Sequence, residues 1–302
     1  MKPLIMPPPL QPGDLLKIVS PSGRLLEHKA LMAGVEIWRS QGYCVEFTKG
    51  WDIKYGYLAG DDKTRREALA EAWFDPECKG ILCARGGYGG MRLLEDWDWK
   101  IDQVTPKWII GFSDVTSLLW SLATVGVGSL HAPVLTTLHK ESSESLEWLF
   151  KIIRGESVEP LRGESWVSGQ AEGVLLPGNL NVASHLLNTP LQPDFENVIL
   201  ALEDVTEAPY SIDRFITYWR LCGAFKKVKG IALGRFSQCD ELGSSDSVST
   251  LEVLRDRLKD LGIPIVANLP FGHDGINHCL PLGKMTFLDA DQGELSILSC
   301  RL

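Results

Sequence analysis

Three short blocks of the chain carry the residue types that acyl-transfer chemistry needs: "GFSD" (111–114), "LED" (202–204) and "PFGHDG" (270–275). They supply Ser113, Glu203 and His273, in the chain order nucleophile, acid, base. A serine hydroxyl is a weak nucleophile until a base takes its proton, and that base works best when a third group fixes its tautomer. Ser113 follows the apolar run "KWII" and precedes "VTSLLWSLAT", so it stands where a strand ends and a helix begins. That position suits a helix cap, and it equally suits a nucleophile held on a tight turn. Asp114 occupies the place of the last glycine in the GxSxG elbow, so the match is to the layout and not to the pattern. Glu203 ends the run "VILAL" with Asp204 beside it. Adjacent strand residues face opposite ways, so only one of these carboxylates is expected to meet a given imidazole.

A fourth block, "RGGYGG" (85–90), fits neither the dinucleotide fingerprint nor the P-loop. It reads instead as a glycine loop whose backbone N–H groups approach a ligand closely, as an oxyanion hole requires. Among the remaining histidines, His28 and His139 read as surface residues, His185 as part of a helix, and His131 as lining a cleft at a strand end. The i, i+5 spacing of His273 and His278 matches no zinc motif, so no metal is expected. The seven cysteines are odd in number and scattered, with no CxxC pair. This argues against a disulfide framework or a thiolate metal site, and no cofactor is expected.

The elements that must position these groups follow from periodicity. "LLKIVS", "YCVEFT", "KGILCA" and "KWIIG" read as strands. Helices follow at 25–42, at 61–74 (with acidic residues at its start, where the helix dipole favours them) and in "VTSLLWSLAT". Alternating strands and helices imply a Rossmann-like parallel sheet, whose ligands collect beyond the carboxyl ends of the strands. "SPSG" (20–23), "RGGYGG" and "GFSD" all fall there. Beyond 150 the texture turns to strands, with helices near 211–221 and 248–261, which fits a smaller β-rich, barrel-like domain. The expected division is 1–153, a polar glycine-rich linker at 154–173, and 174–302; residues 241–250 read as a loop.

The chain has 302 residues, 44% hydrophobic and 23% charged, with a net charge of −9. That balance argues against nucleic acid or an anionic membrane as partner. No stretch approaches the roughly 20 apolar residues of a membrane span. The proline-rich start, "MKPLIMPPPLQPGD", lacks the features of a secretory signal and reads as a loose arm, so a cytoplasmic location is expected.

Taken together, "SPSG", "RGGYGGMRLL" (85–94), "GFSDVTSL" (111–118), "PGNLNVASHLLNTP" (177–190), "LEDVTEAPYSIDR" (202–214), "KGIALGRF" (229–236) and "PFGHDG" resemble the LD-carboxypeptidases. These are serine peptidases that include murein tetrapeptide carboxypeptidases and microcin C immunity proteins. The resemblance implies Ser113 as nucleophile, Glu203 as the orienting acid and His273 as base. It implies backbone oxyanion donors, placed here at Gly87 and Asp114, with the Asp114 side chain capping the helix. It further implies a murein peptide substrate that loses its terminal D-Ala, a two-domain fold with the site between domains, and a homodimer. An immunity peptidase acting on peptidyl-nucleotides is the alternative within the family, and a non-catalytic binding protein the alternative outside it. One departure is "HAP" (131–133), where the family commonly has His-Gly-Pro.

Overall fold

The computed structural model describes residues 1–240 and 248–298; residues 241–247 of the expected loop lie outside it. The first half builds strands Leu15–Val19 (β1), Cys44–Phe47 (β2), Cys78–Cys83 (β3), Trp108–Gly111 (β4) and Ser129–His131 (β5). They pair in parallel in the order β2-β1-β3-β4-β5. In β3 and β4 the side chains are buried on both faces almost throughout, as a sheet covered by helices on both sides demands. The order reverses between β1 and β3, and the loops leaving those strands meet there. Gly23 N–H donates to the Gly86 carbonyl at 3.0 Å, joining "SPSG" to the glycine loop. The helix Asp62–Trp73 starts where the sequence places it, because Asp61 accepts the Thr64 N–H at 2.7 Å.

The second half adds Leu161–Arg162 (β6), Glu164–Val167 (β7), Gln170–Asn179 (β8), Val198–Val205 (β9), Val228–Ser237 (β10), Ile265–Ala267 (β11), Leu280–Leu282 (β12), Met285–Asp289 (β13) and Glu294–Ile297 (β14). Eight of these form one sheet, β6-β14-β13-β8-β9-β10-β11-β7. Its two edge strands, β6 and β7, are separated in the chain by Gly163 alone. The two edges are thus joined by one residue of chain, although no ladder pairs β6 with β7 among the described residues.

Three expectations need correction. The stretch 154–173 is not a free linker: it supplies β6, β7 and the start of β8. These strands are short and half-exposed at sheet edges, so they lack the apolar signature of a buried strand. The region 174–302 is not confined to the second sheet either, because β12 pairs antiparallel with β5 and extends the first. Finally, the proline-rich start is strapped down and not loose. Leu4 and Ile5 donate N–H to Gly283 and Gly126, and Pro8 accepts the Trp108 indole N–H at 2.8 Å. The halves share apolar packing: Trp120 lies with Leu176, Leu200 and Trp219, and its indole donates to the Pro177 carbonyl at 2.9 Å.

Candidate active site

The chain leaves β4 extended at Phe112 (φ −146°) and then enters the left-handed region at Ser113 (φ 62°). That conformation costs an L-residue about 1–2 kcal/mol and is the mark of a sharp strand-to-helix elbow. Ser113 makes no capping hydrogen bond to the helix Thr116–Thr124, so the cap reading is not realised. Asp114 does not cap that helix either. Its buried carboxylate accepts the Gly90 N–H at 2.7 Å and thereby staples the glycine loop to the serine turn.

That loop explains its own composition. A Cβ on Gly86 would stand 3.1 Å from Ser113 Cβ, 3.2 Å from Ser113 Oγ and 3.7 Å from the Asp114 nitrogen, so a side chain there would crowd the serine. The glycine facing the serine is thus Gly86, while Gly87 takes a positive φ (108°) and packs on Gly23. Sequence reasoning missed Arg65, whose fully buried guanidinium donates to the carbonyls of Pro21 and Gly89 and pairs with Asp62. One side chain so ties both loops at the switch point together.

Glu203 comes from the buried run of β9, aligned with Asn179 of β8 in parallel register. Its carboxylate is fully buried and meets His273 Nδ1 at 2.6 Å. His273 rides on a loop after β11, where Gly272 takes φ 143° against Arg235, a conformation that favours glycine. The imidazole packs on Phe112, the residue before the serine, with ring centroids 4.4 Å apart. The structure thus brings His273 onto Glu203 and against the serine elbow. Among the described residues, no hydrogen bond joins Ser113 Oγ to the ring.

Asp204 turns the other way, as strand alternation requires. It accepts N–H groups from Asn181 and Val205 and the Asn179 amide, each at 2.9 Å. Asn179, also missed from sequence, bridges both carboxylates, with 3.4 Å to Glu203 Oε1. Its own N–H donates to Thr116 Oγ1 at 3.0 Å, which links β8 to the serine helix.

The electrostatics follow from burial. Desolvation alone would push His273 down, but the charge of Glu203 and its hydrogen bond outweigh this and hold the imidazole above its ordinary value. Desolvation and the neighbouring Glu203 push Asp204 up to about 7. Glu141 is half-buried where it accepts the Asn277 N–H, and desolvation, with the charge of Asp274, pushes it up to about 7. His131 does not line the cleft as expected. It is fully buried beside Phe112 and Phe271, neither ring nitrogen has a partner among the described residues, and burial pushes it down to about 4. His278 parts from His273 and lies against Trp148 and the Pro270 carbonyl. Among the described residues, no group of three His, Cys, Asp or Glu side chains is placed to hold a metal.

A cleft of about 760 Å³ opens at this point, with Phe112, Glu141, Arg235, His273 and Asp274 in its wall. A buried acid–imidazole pair and a serine elbow in the left-handed region lie here beside a glycine loop. Residues 16–132 match the family model of the LD-carboxypeptidase N-terminal domain, and residues 172–288 that of the C-terminal domain. The chain is 57% identical to the Synechocystis sp. protein named "Putative carboxypeptidase slr1534", over 98% of each chain. It is 29% identical to the murein tetrapeptide carboxypeptidase of Pseudomonas aeruginosa, over 80% of this chain and 82% of that one. Among solved structures, muramoyltetrapeptide carboxypeptidase from Oxalobacter formigenes matches with a TM-score of 0.82 and 27% identity, covering 93% and 97% of the two chains. MccF in complex with glutamyl sulfamoyl guanosine matches in fold with a TM-score of 0.86 and 23% identity, covering 98% and 99%. The chain belongs to the LD-carboxypeptidase family.

Proposed function

We propose that the protein is a serine LD-carboxypeptidase that releases the terminal D-Ala from murein tetrapeptide in the cytoplasm, as a step in peptidoglycan recycling. The observation that carries this reading is the 2.6 Å contact between buried Glu203 and His273, packed against the elbow that presents Ser113. Glu203 holds Nδ1 protonated, which leaves Nε2 as the basic nitrogen. That nitrogen takes the Ser113 proton as Oγ attacks the carbonyl of the L-centre. The N–H groups of Asp114 and the glycine loop, at Gly87 or its neighbour Gly86, stabilise the oxyanion at the start of a helix, where the dipole adds to them. The imidazolium, held by Glu203, then passes its proton to the departing amine of D-Ala. Water, deprotonated by the same nitrogen, clears the acyl-enzyme. None of these steps calls for a metal or organic cofactor.

The alternative within the family is cleavage of peptidyl-nucleotides, suggested by the 27% sequence identity to the Microcin C7 self-immunity protein MccF of Escherichia coli over 96% of this chain. Product analysis on murein tetrapeptide and on an aminoacyl sulfamoyl nucleoside separates the two. A non-catalytic binding protein would not be labelled by a fluorophosphonate, whereas a serine hydrolase is labelled at Ser113. A homodimer remains part of the proposal, to be read from sedimentation.

A further inference from the structure

A carboxypeptidase must recognise a free carboxylate, and the sequence offered no residue for that task. We propose that Arg235 anchors the terminal carboxylate of the substrate; this rests on the carboxypeptidase reading given above. The carboxylate carbon of a leaving amino acid lies two bonds from the nitrogen that the catalytic acid protonates. Its anchor must therefore share a wall with the imidazole. Arg235, at the carboxyl end of β10, lines the same cleft as His273. Its backbone is locked to the His273 loop. The Arg235 N–H donates to the Phe271 carbonyl at 2.8 Å, and a Cβ on Gly272 would stand 3.0 Å from Arg235 Cβ. Base and guanidinium thus sit on one rigid unit.

The guanidinium is aimed but not used up. Nη1 donates to Asn268 Oδ1, and Asn268 is itself held at φ 58° with its amide donating to Glu164 at 3.1 Å. Asp274 stands 3.7 Å from Nε, which is an ion pair but too long for a hydrogen bond. Among the described residues the buried Nε has no hydrogen-bond partner, and Nη2 has none either. Nε is closed off from solvent beside Asp274, so the nitrogen left to take a carboxylate is Nη2. The side chain is 32% exposed and Arg235 lines the cleft wall, so the guanidinium is met from that side. Lys140 lines the same cleft, but it is exposed and no side-chain contact orients it among the described residues.

The test uses murein tetrapeptide ending in free D-Ala and the same peptide ending in D-Ala amide. Kinetics are measured for wild type, Arg235→Gln, Arg235→Lys and Lys140→Gln. Wild type is expected to favour the acid by about 100-fold or more in kcat/KM, because a site built for a charged group leaves it unpaired with the amide. Arg235→Gln should bring the preference to within about threefold, mainly through KM on the acid, while Arg235→Lys keeps part of it through a single-point contact. Lys140→Gln should retain the wild-type preference. Calorimetry of both peptides on a Ser113→Ala background reads the same preference as a ratio of Kd, without turnover. If Arg235→Gln and Arg235→Lys keep the wild-type ratio, or if Lys140→Gln alone abolishes it, the anchor assignment is overturned. If wild type binds the acid selectively through Arg235 yet cleaves neither peptide, the anchor stands and the hydrolytic reading falls. Failure to bind either peptide overturns both.

Discussion

Replacing Glu203 by Gln keeps size and shape but removes the charge from a fully buried contact of 2.6 Å to His273. The structure also says which way the new amide will turn. Glu203 Oε1 already faces the Asn179 amide donor at 3.4 Å, so the Gln oxygen belongs on that side. Its NH₂ then faces His273 Nδ1, which must accept, and the ring proton moves to Nε2. The nitrogen that should take the serine proton is then already protonated. In the serine-protease template, an amide in place of the orienting carboxylate keeps the geometry but fixes the wrong tautomer and lowers kcat by about 10⁴. At 1.36 kcal/mol per decade that is about 5 kcal/mol of activation barrier, and a loss of about 100- to 10,000-fold is expected here. Release of D-Ala from murein tetrapeptide, followed by a coupled amino-acid oxidase assay, measures it directly. The double variant with His273→Ala should be little worse than His273→Ala alone, because members of one catalytic unit do not add. A Glu203→Gln enzyme within about tenfold of wild type, a drop far short of that for an orienting carboxylate, would refute the reasoning. So would Asp204→Asn proving the more damaging change.

Other outcomes follow from neighbouring contacts. Ser113→Ala should abolish turnover, and Ser113→Gly should do so while being about 1 kcal/mol more stable than the alanine variant, roughly 2 °C in Tm, since glycine relieves the left-handed strain. Gly86→Ala should leave the fold intact, because its backbone is ordinary, yet depress kcat by placing a methyl 3.2 Å from Ser113 Oγ. The base must be neutral to act and its pKa is raised, so kcat/KM should rise with pH through an inflection above 6.5. With the Glu203 charge removed, burial dominates and that inflection should move to lower pH, which a pH–rate profile of the residual activity checks. Activity should survive EDTA; a loss restored by zinc would contradict a metal-free serine mechanism.

How much of this was legible in the sequence depended on periodicity and on strand ends. The buried runs of β1, β3 and β4 announce a parallel sheet, and "GFSD", "LED" and "PFGHDG" stand where such strands or their loops end. Strand alternation says that only one of Glu203 and Asp204 meets the imidazole; that it is Glu203 was implied by the family resemblance and is seen in the 2.6 Å contact. What was hidden lacked a local signal. β6 and β7 are edge strands of two and four residues in polar surroundings, and β12 is three residues with a central proline. Their membership of a sheet is decided by partners about a hundred residues away or more. Arg65 and Asn179 read as ordinary residues of a helix start and a strand end; only folding shows that each ties two loops or two carboxylates together. Gly86 and Gly87 cannot be told apart until the serine they flank is in place.

The central claim is that Ser113 cleaves the L,D-amide before a terminal D-Ala. Chiral amino-acid analysis of murein tetrapeptide after incubation with wild type and with Ser113→Ala tests it most directly. Wild type should yield one equivalent of D-Ala and the corresponding tripeptide, and the variant intact tetrapeptide. Intact tetrapeptide from both, or equal D-Ala release by both, would contradict it.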